Sequence, residues 1–228
     1  MTAVVTGAGR GIGRAVAARL AGEHELVLVD LDPGVERVAG ELGGRAVVCD
    51  VTDPGGRARI LDAAGNVAVL VNNAGITRDA RLVKMDEEAF LAVIRVNLGA
   101  AYELTTALRD RFADGASVVS LASRAYLGNF GQFNYSASKG GLVGMTRALA
   151  LQLAPRVRVN AIAPSLTASE MTKAMPEKVL DKMIAAIPLG RMAEPEEIAE
   201  TVAALASPAM AYVTGQVVVA CGGRSLAP

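Results

Sequence analysis

The chain has no tryptophan, and aromatic residues make up only 4% of it. It has a single histidine, His24, which nearly excludes histidine-based metal and triad chemistry. Its two cysteines, Cys49 and Cys221, lie far apart, too few and too scattered for a disulfide framework or a metal cluster, so no metal site is expected. Net charge is also missing: 23 basic residues balance 23 acidic ones with no long run of either sign. That balance argues against nucleic acid or an anionic membrane as the main partner. No apolar run reaches the roughly 18 residues a membrane span needs. Met1-Thr2-Ala3-Val4-Val5 leads into a glycine motif with no signal-peptide pattern, so the expected location is cytoplasmic. Internal repeats, low-complexity tracts and linkers are absent as well, and residues 1–228 read as one domain.

What the chain does have is a hydrophobic fraction of 52% and a mean hydropathy of +0.35, enough for a sizeable core. Short solid apolar runs occur at 3–5, 26–29 (ended by Asp30), 46–49, 67–71, 116–121, 157–162 and 216–220. Helical segments fall between them. One covers 15–20 after the glycines. A second starts at Asp32-Pro33, places Val35, Val38 and Leu42 on one face, and stops at Gly43-Gly44. A short third contains Ile60 and Leu61. A fourth opens with Asp86-Glu87-Glu88, negative charge that the helix dipole favours, and runs through Phe90, Ile94, Leu98, Leu104 and Leu108 to about Phe112. A long helix covers 135–154, and a last one opens at Glu194-Pro195 with Ile198, Val202 and Leu205 inward. Residues 165–185 are less regular and read as a mobile flap. Solid strands alternating with helices predict an α/β fold, a single-domain Rossmann-type doubly wound parallel sheet of about seven strands with helices on both faces.

Several short motifs fall at the ends of these runs. Thr6-Gly7-Ala8-Gly9-Arg10-Gly11-Ile12-Gly13 follows a strand and opens a helix. Glycines there permit a tight turn and let backbone N–H groups approach a pyrophosphate at the helix N-terminus. Asp30, about 20 residues on at the end of the second strand, can accept hydrogen bonds from an adenosine ribose. Asp50-Val51 either borders the adenine or forms an ordinary turn. Asn72-Asn73-Ala74-Gly75 ends the fourth strand, where small residues leave room for a ligand and the asparagines can tie strand ends together. Asn97 sits within a helix, where asparagine has poor propensity, as an exposed polar residue or a functional one. Ser123 follows the fifth strand as a turn serine or an active-site one, with Ser120 as the fallback. Tyr135 and Lys139, four residues apart, share a helix face, and an adjacent ammonium favours the phenolate and predicts a lowered tyrosine pKa.

In combination these pieces resemble the short-chain dehydrogenase/reductase family over nearly the whole chain: Thr6-Gly-x-x-x-Gly11-x-Gly13, Asn72-Asn73-Ala74-Gly75, Asn97, Ser123, Tyr135-x-x-x-Lys139 and Asn160-Ala161-Ile162-Ala163-Pro164. Within the family, the stretches 73–79, 128–135 and 213–217 are most similar to the 3-oxoacyl-[acyl-carrier-protein] reductases. The resemblance implies NAD(P)-dependent reduction of a 3-oxoacyl thioester, as in fatty acid or polyketide synthesis. It makes Tyr135 the general acid, Ser123 the group polarising the carbonyl, Lys139 the residue that tunes Tyr135 and holds the nicotinamide ribose, and Asn97 a holder of a water leading to Lys139. It implies cofactor contacts at Gly7, Arg10, Gly11, Ile12, Gly13, Asp30, Asp50, Val51, Asn73, Ala74, Gly75, Pro164 and Thr167, in addition to Tyr135 and Lys139. The sequence departs from the family pattern at Ser165, where glycine is usual, and at Cys221, where aspartate usually precedes the glycine pair.

Asp30 favours the free ribose hydroxyls of NAD(H), whereas Arg10 is a residue that NADP-using relatives employ; the carboxylate at the ribose predicts a preference for NAD(H) over NADP(H). The substrate is a small acyl thioester, with acyl-carrier-protein a possible acidic partner. Arg111 and Arg156 are candidate docking residues for it by resemblance, or solubilising charges otherwise. The resemblance also implies a homotetramer assembled through the helices at 98–112 and 135–154, where Leu142, Val143, Met145, Leu149, Leu151 and Leu153 are expected to need a second covering surface. Two other readings stand beside the thioester reductase: a dehydrogenase of a sugar, polyol or other secondary alcohol, and a nucleotide-binding sensor without turnover.

Overall fold

In a computed structural model describing residues 1–169, 172 and 175–226, the apolar runs form seven strands in one sheet, ordered β3-β2-β1-β4-β5-β6-β7. The strands are β1 (Thr2–Thr6), β2 (Glu25–Asp30), β3 (Arg45–Val48), β4 (Val67–Asn72), β5 (Phe112–Leu121), β6 (Val157–Pro164) and β7 (Val217–Ala220). Every pairing is parallel. Alternate residues feed opposite faces, as the pleat requires. Ala3 and Val5 join one core cluster with Leu28, Val71, Ile198 and Val202. Val4 joins the other with Ile60, Leu70, Leu104, Val118 and Leu149. Both faces being dry explains why the strands read as solid apolar runs rather than alternating ones.

The helices are α1 (Gly11–Leu20), α2 (Val35–Leu42), α3 (Pro54–Ala63), α4 (Glu87–Ile94), α5 (Ala100–Ala107), α6 (Phe133–Leu153), α7 (Glu177–Ala185) and α8 (Pro195–Ala206). Their starts follow from local chemistry. Asp53 accepts from Gly56 N at 2.7 Å and Asp86 from Ala89 N at 2.7 Å, each taking up an otherwise orphaned donor. Pro195 begins α8 behind a Glu194–Glu197 capping box.

Three expectations are corrected. The predicted helix from Asp86 to about Phe112 is not continuous: a π-helical segment, Arg95–Gly99, separates α4 from α5, a 3₁₀ turn covers Arg109–Arg111, and β5 already begins at Phe112. Pairing with Val67 draws Phe112 into the sheet and buries it. The irregular stretch at 165–185 contains α7, and Thr167 bridges to Ala193; positions 170, 171, 173 and 174 of it lie outside the described residues. On α6, Leu142, Val143 and Leu149 are buried within the chain and Met145 and Leu153 pack partly against the core, so Leu151, 84% exposed, is the one that faces outward.

The chain runs outward from β1 to β3, then returns to the other side of β1 to place β4. At such a switch point the helices leave in opposite directions and a crevice opens at the carboxyl ends of the strands.

Candidate active site

That crevice is where the predicted residues gather: Gly7 follows β1, Asp30 ends β2, Asn73 follows β4, Ser123 follows β5 and Pro164 ends β6. On the β1 side the backbone dominates. Gly7 has φ +65°, and a Cβ there would meet Asn73 Nδ2 at 2.7 Å. A Cβ on Gly13 would lie 2.0 Å from Gly7 O, so only glycine allows α1 to pack this close to the loop. Arg10 is exposed and gives α1 no side-chain cap, leaving the first N–H groups of the helix directed at the crevice. Ile12 is partly buried and packs its side chain against the core.

Asp30 is pinned on both oxygens: Oδ2 accepts from Gly9 N at 2.8 Å and Oδ1 from Asp32 N at 3.0 Å. Its carboxylate is therefore a fixed negative charge at the mouth of the glycine loop. Asp50 is engaged as a turn acid, its Oδ1 accepting from Thr52 N and Thr52 Oγ1, both at 2.8 Å. Val51 is buried in the core.

Asn73 ties β4 to the glycine loop, its Nδ2 donating to Thr6 O and Gly7 O at 2.9 Å. The Thr6 hydroxyl accepts from Asn73 N and Ala74 N at 3.0 Å each. Thr6 therefore organises this corner; the sequence marks it as the first residue of the glycine motif but does not show that its hydroxyl ties β1 to the segment after β4. The tight approach at Gly13, the uncapped start of α1 and the fixed carboxylate of Asp30 suit the pyrophosphate and ribose of a dinucleotide.

On the β4–β6 side, buried polar side chains do the positioning. Asn97, 1% exposed, lies in the π-helical segment. Its Oδ1 accepts from Ile76 N at 2.8 Å, and its Nδ2 donates to Ile76 O and Ser138 Oγ at 3.0 Å. It thus clamps the segment after Gly75 to α6. A Cβ on Gly75 would meet Asn97 Oδ1 at 3.1 Å and Lys139 Nζ at 3.6 Å. Asn134, fully buried, donates to Arg78 O at 2.8 Å and accepts from Tyr135 N at 2.8 Å. Gln132 donates to Asp79 at 2.8 Å and accepts from Asn129 at 2.7 Å. In the sequence, Asn134, Gln132 and Asp79 stand out only as family markers; their clamping role depends on partners some 50 residues away, which no local pattern reveals.

Ser123 caps the next turn, accepting from Ala125 N at 3.1 Å. Tyr135 is half-buried at the first turn of α6. Lys139 is buried; its Nζ donates to Leu121 O at 2.6 Å and stands 5.5 Å from the Tyr135 ring centroid. This corrects the expectation of a lysine-lowered phenol. Burial raises the Tyr135 pKa, hydrogen bonding with Ser123 lowers it, and the Asp79 charge raises it, for a net rise. The ammonium is directed at the end of β5 instead, and burial pulls Lys139 down to about 8. The folded chain accordingly holds Tyr135 as a protonated phenol beside the Ser123 hydroxyl, the form a proton donor requires.

Arg111 and Arg156 stand at the opposite edge of the sheet, immediately before β5 and β6. Arg111 donates to Leu61 O at 2.6 Å and Ala64 O at 2.8 Å, and Arg156 donates to Arg109 O. Neither lies beside this chain's own crevice, because parallel strands put the residue that precedes a strand at the far end from the one that follows it. Thr167, whose Oγ1 donates to Ser165 O at 3.2 Å, lies past β6 on the crevice side. Among the described residues no cluster could hold a metal ion, and no helix is long and apolar enough to cross a membrane.

A family model described as Enoyl-(Acyl carrier protein) reductase matches residues 7–225. The chain is 41% identical to the 3-oxoacyl-[acyl-carrier-protein] reductase FabG of Thermotoga maritima, covering 96% of each chain. It is 37% identical to (2S)-[(R)-hydroxy(phenyl)methyl]succinyl-CoA dehydrogenase subunit BbsD of Thauera aromatica, over 98% of this chain and 96% of that protein. Among solved structures it is similar to a Brucella melitensis protein described as short-chain dehydrogenase/reductase SDR:Glucose/ribitol dehydrogenase, with TM-score 0.92, 34% identity, and coverage of 98% and 96%. With its crevice, its glycine loop and its tyrosine–lysine helix, the chain belongs to the short-chain dehydrogenase/reductase family, a family of oxidoreductases.

Proposed function

We propose that this chain reduces the 3-oxo group of an acyl thioester, carried on CoA or acyl-carrier-protein, to the 3-hydroxyl. The observation that carries the reading is the protonated Tyr135 beside Ser123 at the same sheet edge as the glycine loop, in a chain similar along its length to FabG. A dinucleotide held in the crevice would supply the hydride for the carbonyl carbon. Tyr135 gives its hydroxyl proton to the carbonyl oxygen, and the Ser123 hydroxyl donates a hydrogen bond to that oxygen as charge builds on it. Lys139 holds the ribose and restores the proton. Asn97 spends both Nδ2 hydrogens on Ile76 and Ser138, which leaves a lone pair of Oδ1 for a water on the way to Lys139. Gly7, Gly11, Gly13, Ala74, Gly75, Pro164 and Thr167 hold the cofactor through the crevice wall, with Asp50 and Val51 at its adenine end.

The preferred cofactor is NAD(H). The pinned Asp30 carboxylate supports this, because a 2′-phosphate would meet a charge unable to swing away, whereas Arg10 is exposed. Wild type should show higher kcat/KM with NADH than with NADPH, and Asp30→Ala should narrow the gap; an NADPH preference would refute the assignment. Docking of acyl-carrier-protein on Arg111 and Arg156 requires an assembly that brings the far sheet edge of one subunit beside another's crevice. The outward face of α6 supports such an assembly, a homotetramer in this reading: Gly140 and Gly144 face open space one turn apart, in line with exposed Leu151. A monomer by light scattering would refute it.

A second reading, oxidation of a sugar or polyol, is favoured by the likeness to the Brucella structure, whose description names glucose and ribitol. NADH oxidation with acetoacetyl-CoA and acetoacetyl-acyl-carrier-protein, beside NAD reduction with a panel of sugars and polyols, separates the two. Turnover of the thioesters alone is expected; turnover of a sugar alone would overturn the proposal.

A further inference from the structure

Two arginines on the substrate side of the crevice are not used by the reaction described above. Arg124 directly follows Ser123, and Arg224 lies just past β7 in the turn after Cys221-Gly222-Gly223. Their parent strands, β5 and β7, flank β6. Two inter-strand spacings separate the strand ends, about 10 Å, a gap that two long arginine side chains can close. Both residues are partly buried. Arg124 Nε is buried with no hydrogen-bond partner. None of the ion pairs among the described residues includes either arginine. The two charges feel each other: burial lowers the Arg224 pKa, Arg124 lowers it further, and Cys221 opposes the fall. Buried Cys221 senses Arg124 as well: burial raises its thiol pKa, but hydrogen bonds from the Ser225–Gly223 turn and the Arg124 charge outweigh it and leave the thiol lowered.

Two partly buried like charges on neighbouring strand ends, one with a buried donor left unpaired, are a costly arrangement that an anion between them would relieve. The fork geometry of guanidinium suits a carboxylate or a phosphate. This anion is not a nucleotide phosphate near Asp30, which ends β2 on the other side of β1. We propose that Arg124 and Arg224 form an anion subsite beside Ser123 that takes a carboxylate or phosphate group of the substrate. The assignment rests on the thioester reading and narrows it to substrates carrying a second charged group.

Three thioesters separate the sources: acetoacetyl-N-acetylcysteamine, with neither group; 3-oxoadipyl-N-acetylcysteamine, with a terminal carboxylate; and acetoacetyl-CoA, with phosphates. In Arg124→Gln and Arg224→Gln, KM for the anion-bearing substrate should rise roughly tenfold to hundredfold more than KM for the neutral one, the loss of a charge-assisted hydrogen bond. Selective loss on the oxoadipyl thioester identifies an acyl carboxylate, and selective loss on the CoA thioester identifies a phosphate. Equal changes on all three would overturn the subsite. Should wild type reduce none of them, the thioester reading itself fails, and melting temperature decides the subsite: succinate or inorganic phosphate should raise the wild-type Tm and leave both variants unmoved. No rise in wild type would refute it. The two substitutions lie on separate elements, so misfolding of one leaves the other informative.

Discussion

The two halves of the crevice are built by opposite means. From β1 to β3 the wall is mostly backbone, brought close by Gly7 and Gly13 and pinned by the side chains of Thr6, Asp30 and Asn73. From β4 to β6 it is a set of buried polar side chains, Asn97, Asn134, Ser138 and Lys139, each bonded across long sequence separations. A nucleotide presents the same phosphates each time, and a close backbone suffices to hold them. Proton transfer depends on one atom at one position, and fixing that atom takes several satisfied, desolvated hydrogen bonds.

The contrast breaks if the halves cannot be separated by mutation. Tyr135→Phe should lower kcat by about 10³-fold while NADH still binds, measured by steady-state rates and by fluorescence titration. Retained turnover would move the acid elsewhere. Lys139 tests the cost of the polar half. Its pKa is depressed from 10.5 to about 8 in the folded chain, so below pH 8 both states are protonated and the folded state bears the full penalty. Between about pH 8 and 10.5 the unfolded state holds more protons and stability rises with pH. Measured against Lys139→Met in denaturant titrations, wild type should gain roughly 3 kcal/mol across that window; a flat difference would show that the amine is not penalised. Gly13→Ala tests the backbone half. Its Cβ would collide with Gly7 O, so a loss of about 1–3 kcal/mol is expected, together with loss of NADH binding. The smallest effect sharpens the contrast at its rim. Asp79→Asn keeps the contact with Gln132 but removes a charge that raises the Tyr135 pKa. The high-pH fall in the reduction rate should move to lower pH, and an unmoved pH–rate profile would confine Asp79 to holding the loop.

The sheet was legible because solid apolar runs leave few alternatives, and the glycine loop because its constraints are local. The tyrosine–lysine pair was legible as a position but not as an electrostatic state. Helical spacing places Lys139 on the Tyr135 face, yet Leu121 O, 18 residues upstream, decides where the ammonium goes. Asp50 could not be assigned from sequence because its bond to Thr52 is a local turn that any acid could make. The sequence alone could not position Arg111 and Arg156 relative to the crevice, because that depends on which end of a strand they adjoin, and they precede β5 and β6.

The π-helical segment Arg95–Gly99 has one further consequence. An α-helix turns by about 100° per residue, so a widened turn sets α5 out of phase with α4. Asn97 then faces Ile76 and Ser138 while Leu104 and Leu108 still face the sheet. Deleting one residue there would give a smoother helix, easier to form on its own, that could not direct both sets inward. The irregular turn is a phase correction, and repairing it would misalign either the site or the core.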